Sequence, residues 1–307
     1  MTTSTKLASA PKGSLVAVVT PMDAAGGLDL LAFDALLDWH VEQGTHGIVV
    51  VGTTGESATL SSEEHIGLIE HCVKRIAGKI PVIAGTGSNN TAEALMFTRE
   101  AKARGADACL LVTPYYTKPS QRGLYAHFKT LAEGVDIPQI LYNVPGRTMC
   151  DLELETVDKL ADLENIVGIK DATGDKERGL ALIAQCSDRL AVYSGEDALN
   201  CELMLAGARG AISVTANAAP AQMAALCAAA LAGDAQQARS IDQGLRDLHR
   251  DLFLEANPVP IKWALHQMGR IGSGIRLPLM ELDEQYHVKV LEALIAAGIS
   301  VGHTEIG

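Results

Sequence analysis

Residues 29–51, DLLAFDALLDWHVEQGTHGIVVV, decide the reading of the fold. Asp29 stands where a carboxylate can accept from the free N–H groups of a first helical turn. Leu30, Phe33, Leu37 and Val41 follow at helical spacing and give that helix an apolar face. Gly44 closes it, because glycine enters the left-handed conformation of a helix end with no Cβ to clash. After a short turn, Ile48–Val51 is apolar at every position, the pattern of a strand covered on both faces in a parallel sheet.

The same order of helix-ending glycine, turn and buried strand recurs as GADACLL from Gly105 and GARGAIS from Gly207. The steps from Gly44 are about 61 and then about 102 residues, near two and four β/α units. Further buried-strand runs are Val16–Val19, Pro81–Ala84, Ala108–Val112, Gln139–Tyr142, Ile166–Lys170, Leu190–Tyr193 and Gly210–Val214. Helices between them carry start signals. Ser61 and Glu64 have capping-box spacing ahead of Ile66, Ile69, Val73 and Ile76, and Asn90 and Glu93 repeat it. The pattern predicts a (β/α)8 TIM barrel over residues 14–233. A flexible lead-in would occupy residues 1–13. A helical region would fill 234–307, with helices over Ala235–Asn257, Val259–Met268 and Asp283–Ala297. A doubly wound open sheet is the alternative. Its phosphate-binding signatures are missing, since GTTGES and GTGSNN match neither G-x-G-x-x-G nor a Walker A lysine.

Composition narrows the function. Of 307 residues, 48% are hydrophobic and 20% charged, which excludes a disordered chain. The formal charge of −12 and the 4% aromatic content argue against nucleic acid or anionic lipid as partner. Cys72, Cys109, Cys150, Cys186, Cys201 and Cys227 form no C-x-x-C pair and have no histidine cluster beside them, so no metal site is expected. Neither a signal peptide nor a membrane span is legible. The Ala-rich stretch Ala218–Leu231 reads as a core helix, and the expected address is the cytoplasm.

In a barrel, chemistry sits at the C-terminal ends of the strands. Lys170 closes an apolar run there, where burial disfavours an ammonium, and a neutral amine can attack a ketone. A snorkelling lysine, or one ion-paired with a neighbour such as Asp171, is the structural alternative. Tyr142, Tyr116 and Thr53 stand on other strand ends, and their hydroxyls can both donate and accept protons, as imine chemistry requires. Tyr142 taken alone reads more readily as an ordinary half-buried core tyrosine. The glycine-flanked turn carrying Thr53 and Thr54 can hold a small carboxylate, or be a plain turn. Arg147 follows a Pro-Gly turn and suits bidentate carboxylate binding, or a surface ion pair.

At these positions GTTGES, VTPYY, LYNVPGRT, GIKDATG and AISVTAN, in that order, resemble the dihydrodipicolinate synthase family over about residues 14–300. That family belongs to the pyruvate-dependent class I aldolases, with N-acetylneuraminate lyase. The resemblance implies a lyase of lysine and diaminopimelate biosynthesis that condenses pyruvate with L-aspartate 4-semialdehyde. It implies no cofactor beyond the covalent Schiff base of pyruvate with Lys170. Tyr142 would donate and accept protons through Thr53 and Tyr116, with Tyr116 reaching into a neighbouring subunit. Thr54 and the backbone near Gly195 and Ile212 would hold pyruvate, and Arg147 the carboxylate of the second substrate. The assembly implied is a homotetramer built as a dimer of dimers. A keto-deoxy sugar acid aldolase and a non-catalytic pyruvate sensor are the alternatives; the sugar aldolases share the lysine and tyrosine but not the arginine.

The resemblance also implies an allosteric lysine site at Ser57, Ala58, His65, Asn89, Glu93 and Tyr115. Asn89 and Glu93 would alternatively serve only their helix start. Ser62 stands where strongly inhibited members carry histidine, which implies weak feedback.

Overall fold

The computed structural model describes residues 3–302. Eight parallel strands close into a barrel in sequence order. They are β1 (Gly13–Ala17), β2 (Gly47–Val50), β3 (Val82–Gly85), β4 (Ala108–Val112), β5 (Gln139–Asn143), β6 (Ile166–Asp171), β7 (Ala191–Ser194) and β8 (Gly210–Ser213). Closure is made by β1 pairing with β8, Leu15 opposite Ile212, which excludes the open sheet. Gly210 permits that closure, because a Cβ there would lie 2.4 Å from the Gly13 carbonyl oxygen.

Alternation along the strands separates two cores. Leu15, Ala17, Val49, Ile83, Ile140, Tyr142 and Tyr193 fill the barrel, while Val16, Ile48, Val50, Leu141 and Ile169 face the helices. Register between β5 and β6 shifts at Gln139/Ile140, and beyond the shift Tyr142 pairs with Lys170 and Asn143 with Asp171. A slip of one residue there would turn Lys170 outward.

The helix Leu30–Glu42 begins where expected, with Asp29 Oδ1 accepting from Ala32 N at 2.9 Å. Its buried face is Phe33, Leu36, Leu37 and His40, and Leu30 is exposed. In Ser62–Ile76 the buried face is His65, Leu68, Ile69, Cys72 and Ile76, with Ile66 and Val73 at its margin. Leu30–Glu42 is apolar around most of its circumference and Ser62–Ile76 has one broad apolar face, so spacing alone does not fix where the packed stripe is centred. The capping box at Ser61 and Glu64 forms. The one expected at Asn90 and Glu93 does not: Asn90 caps Ala92 N, while the Glu93 carboxylate accepts from Ser88 Oγ.

The lead-in also departs from expectation. Met1 and Thr2 lie outside the described residues, but Thr3–Ala8 is helical. Lys6 Nζ donates to the carbonyls of Ala161 at 2.5 Å and Leu163 at 2.9 Å. Burial lowers its pKa to about 8. At the other end, Ala235–Asp251 stops short of Asn257, which as the residue before Pro258 is itself disfavoured in a helix. Val259–Gln267 and His287–Ala296 follow; the expectation for 303–307 falls outside the described residues. All six cysteines are buried and free. Among the described residues no helix is long and apolar enough to cross a membrane, and no cluster of His, Cys, Asp or Glu could hold a metal.

Candidate active site at the mouth of the barrel

Lys170 is 6% exposed, with Nζ 4.2 Å from the centroid of the Tyr142 ring. Asp171, next in sequence, faces the opposite way and is engaged by Arg178 Nε at 2.9 Å and Thr173 Oγ1 at 2.5 Å. The Lys170–Asp171 ion pair is therefore absent, and among the described residues Lys170 has no hydrogen bond or salt bridge. Room for its side chain comes from Gly195, where a Cβ would lie 2.7 Å from Lys170 Cε. Tyr193, across from Lys170 on β7, also points inward, but its hydroxyl donates to Pro11 O at 2.6 Å and is structural.

Lys170, Tyr142 and Gly195 line a cavity of about 180 Å³ with Thr53, Thr54 and Arg147. The turn after β2 is tied internally, Gly55 N and Ser57 N donating to Gly52 O and Glu56 N to Thr53 O. No partner is found among the described residues for the N–H groups of Thr53 and Thr54. Thr54 Oγ1 accepts from Asn257 Nδ2 at 3.1 Å, so its own proton is available to a carboxylate. Arg147 Nη2 donates to Asn257 O at 3.0 Å, which steadies an otherwise exposed guanidinium over the mouth.

Asn257, from the segment after the barrel, thus holds two site residues and lines the cavity itself. The sequence pattern predicts it inside a helix; Pro258, next in the chain, is the local sign that it is not. Glu56 is a second missed group. Its carboxylate pairs with Lys262 in full burial and accepts from Arg276 N at 3.2 Å, pinning the GTTGES turn to the C-terminal region. Burial lowers the Lys262 pKa and the Glu56 charge opposes that shift.

Two expected residues lie off the cavity. Ile212 is 1% exposed in the barrel interior, and Val214 lines the mouth instead. Tyr116 is 89% exposed with φ 71° and makes no contact with its own chain's cavity. Among the described residues no hydrogen bond joins the hydroxyls of Thr53, Tyr142 and Tyr116.

A second cavity, of about 620 Å³, shares Thr53, Val144, Arg147 and Asn257 with the first. Ser57, Ala58, Ser62, His65, Glu93 and Tyr115 line it, and Asn89 does not. His65 is stacked on Phe97 at 4.4 Å, and its Nε2 lies 2.7 Å from Gly85 O. Burial lowers its pKa, which keeps the imidazole neutral near pH 7.

The sequence profile of the dihydrodipicolinate synthetase family matches residues 10–297. The chain is 61% identical to a 4-hydroxy-tetrahydrodipicolinate synthase of Marinobacter nauticus, over 94% of this chain and 99% of the relative. Among solved structures it resembles the chloride-inhibited dihydrodipicolinate synthase of Acinetobacter baumannii in complex with pyruvate. That match has TM-score 0.94 and 55% identity over 95% of this chain and 100% of that one. The lysine-bound enzyme of Cyanidioschyzon merolae matches with TM-score 0.90 and 37% identity, over 94% and 99%.

Proposed function

The chain belongs to the dihydrodipicolinate synthetase family, and from that premise we propose how its barrel mouth works. It is a 4-hydroxy-tetrahydrodipicolinate synthase, joining pyruvate to L-aspartate 4-semialdehyde in lysine biosynthesis. The observation that carries the reading is a buried lysine with no hydrogen bond or salt bridge among the described residues, set against the Tyr142 ring in the cavity that Thr53 and Thr54 line.

Lys170 Nζ attacks C2 of pyruvate and water leaves; the iminium acidifies C3, whose proton passes to the Tyr142 hydroxyl path, and the C–H electron pair forms the enamine. The Thr54 hydroxyl and the free N–H groups of the turn hold the pyruvate carboxylate. The enamine carbon attacks the aldehyde, whose oxygen takes a proton delivered through Tyr142. The amine of the second substrate then attacks C2, closing the ring as an imine and releasing Lys170. Arg147 holds the carboxylate of that substrate, its guanidinium being oriented by Asn257 O.

Tyr116 points out of its own subunit and completes the proton path in a partner's site. This makes the working unit a homodimer, and the assembly a tetramer of two such dimers, in the cytoplasm. The larger cavity takes lysine through Glu93 and neighbouring groups, as the lysine-bound relative suggests. Asn89 is not among its lining residues, and Ser62 supplies a hydroxyl in place of an imidazole.

Reduction with sodium borohydride in the presence of pyruvate tests the reading. One three-carbon adduct per chain on Lys170 is expected, with turnover on adding aspartate semialdehyde. Trapping without turnover would favour the sensor or another aldolase, and an adduct on Lys262 would sink the assignment.

A further inference from the structure

We propose that Glu196 binds the α-ammonium of the aldehyde substrate, so that Glu196 and Arg147 together clamp an amino-acid head group. The inference rests on aspartate semialdehyde being the second substrate. Arg147, Lys170 and Glu196 are the charged residues lining the 180 Å³ cavity. Lys170 is consumed by pyruvate and Arg147 suits a carboxylate. A substrate that also carries an ammonium needs an anion, since a buried charge without a counter-charge is strongly disfavoured. Glu196 supplies the only carboxylate among the described residues of that lining.

Its neighbour Asp197 cannot serve. Asp197 is 2% exposed and already accepts from Val214 N, Thr215 N and Asn200 Nδ2. The Glu196 side chain, half-buried, has no hydrogen bond or salt bridge among the described residues. Its backbone is fixed at both ends, Ser194 Oγ donating to Glu196 O at 3.0 Å and Gly195 N to Asp171 O at 2.7 Å. The carboxylate is therefore held at the rim and left available. Burial raises its pKa and Asp197 adds to the effect, while His249 and Lys170 oppose it; the net direction is upward, so an arriving cation relieves an unfavourable charge.

The test compares Glu196→Gln and Glu196→Asp with the unaltered enzyme. Steady-state kinetics use aspartate semialdehyde, with 4-oxobutanoate, the same aldehyde acid without the amine, as competitive ligand. For Glu196→Gln, KM for aspartate semialdehyde should rise at least about tenfold, the lower end of a charge-assisted hydrogen bond (~1.4 kcal/mol). Glu196→Asp should recover part of that loss. Inhibition by 4-oxobutanoate, KM for pyruvate and the borohydride adduct on Lys170 should be unchanged. An unchanged KM for aspartate semialdehyde overturns the proposal, as does an equal loss with 4-oxobutanoate. Slower adduct formation would instead make Glu196 a partner of Lys170 and overturn it too. If the unaltered enzyme fails to turn over aspartate semialdehyde, the functional reading fails first.

Discussion

Replacing Lys262 by methionine probes the tie between the C-terminal region and the site. Lys262 and Glu56 have side chains 3% and 0% exposed, so solvent cannot take over the charge of either. Methionine keeps most of the lysine volume and removes the cation. Glu56 then retains only the Arg276 N–H, because the Arg276 guanidinium is engaged by Glu64 at 2.6 and 2.7 Å. Removing one partner of a buried pair costs about 3–5 kcal/mol, most of it the orphaned charge. Urea unfolding followed by circular dichroism should show that loss. Adding Glu56→Gln to Lys262→Met removes the orphaned charge and should recover at least about half of it. The surviving folded enzyme should show a raised KM for pyruvate, since Glu56 closes the turn that carries Thr53 and Thr54. A loss under about 1 kcal/mol for Lys262→Met, or a double variant as unstable as the sum of the singles, would refute the reasoning.

Gly195→Ala should cut the rate of borohydride-trappable adduct formation by about 100-fold, because its Cβ takes the space of Lys170 Cε and misplaces the nucleophile; trapping at the normal rate would contradict the packing. Tyr116→Phe and Lys170→Ala subunits, each inactive alone, should regain partial activity when mixed and allowed to exchange. No recovery after confirmed exchange would place Tyr116 in its own chain's site. Lysine should bind measurably by calorimetry yet inhibit weakly, and strong inhibition at micromolar lysine would show that Ser62 does not limit feedback.

The site was legible in the sequence wherever one residue's neighbours along the chain fix its direction. Lys170 ends an all-apolar run, and Thr53–Thr54 sits between glycines after another, so each is tied to a strand end by local pattern. Arg147 follows the same logic after β5. The faces of Leu30–Glu42 and Ser62–Ile76 were less legible, because the first is apolar around most of its circumference and the second has an apolar face wider than the stripe that packs.

The amino-acid sequence by itself determined eight buried strands, their alternation with helices, and which strand ends carry an amine, hydroxyls and an arginine. These are short-range properties, set by periodicity of 2 or 3.6 residues and by the conformations that glycine and proline permit. Tertiary structure alone decided that Asp171 turns away to Arg178 and leaves Lys170 unpaired, and that Asn257 returns from beyond the barrel to Thr54 and Arg147. It alone decided that Lys262 lies against Glu56, 206 residues away, and that Glu196 and not Asp197 is left free at the rim. Such pairings depend on barrel closure and the β5–β6 register shift, which bring distant segments together without leaving a local trace in the chain.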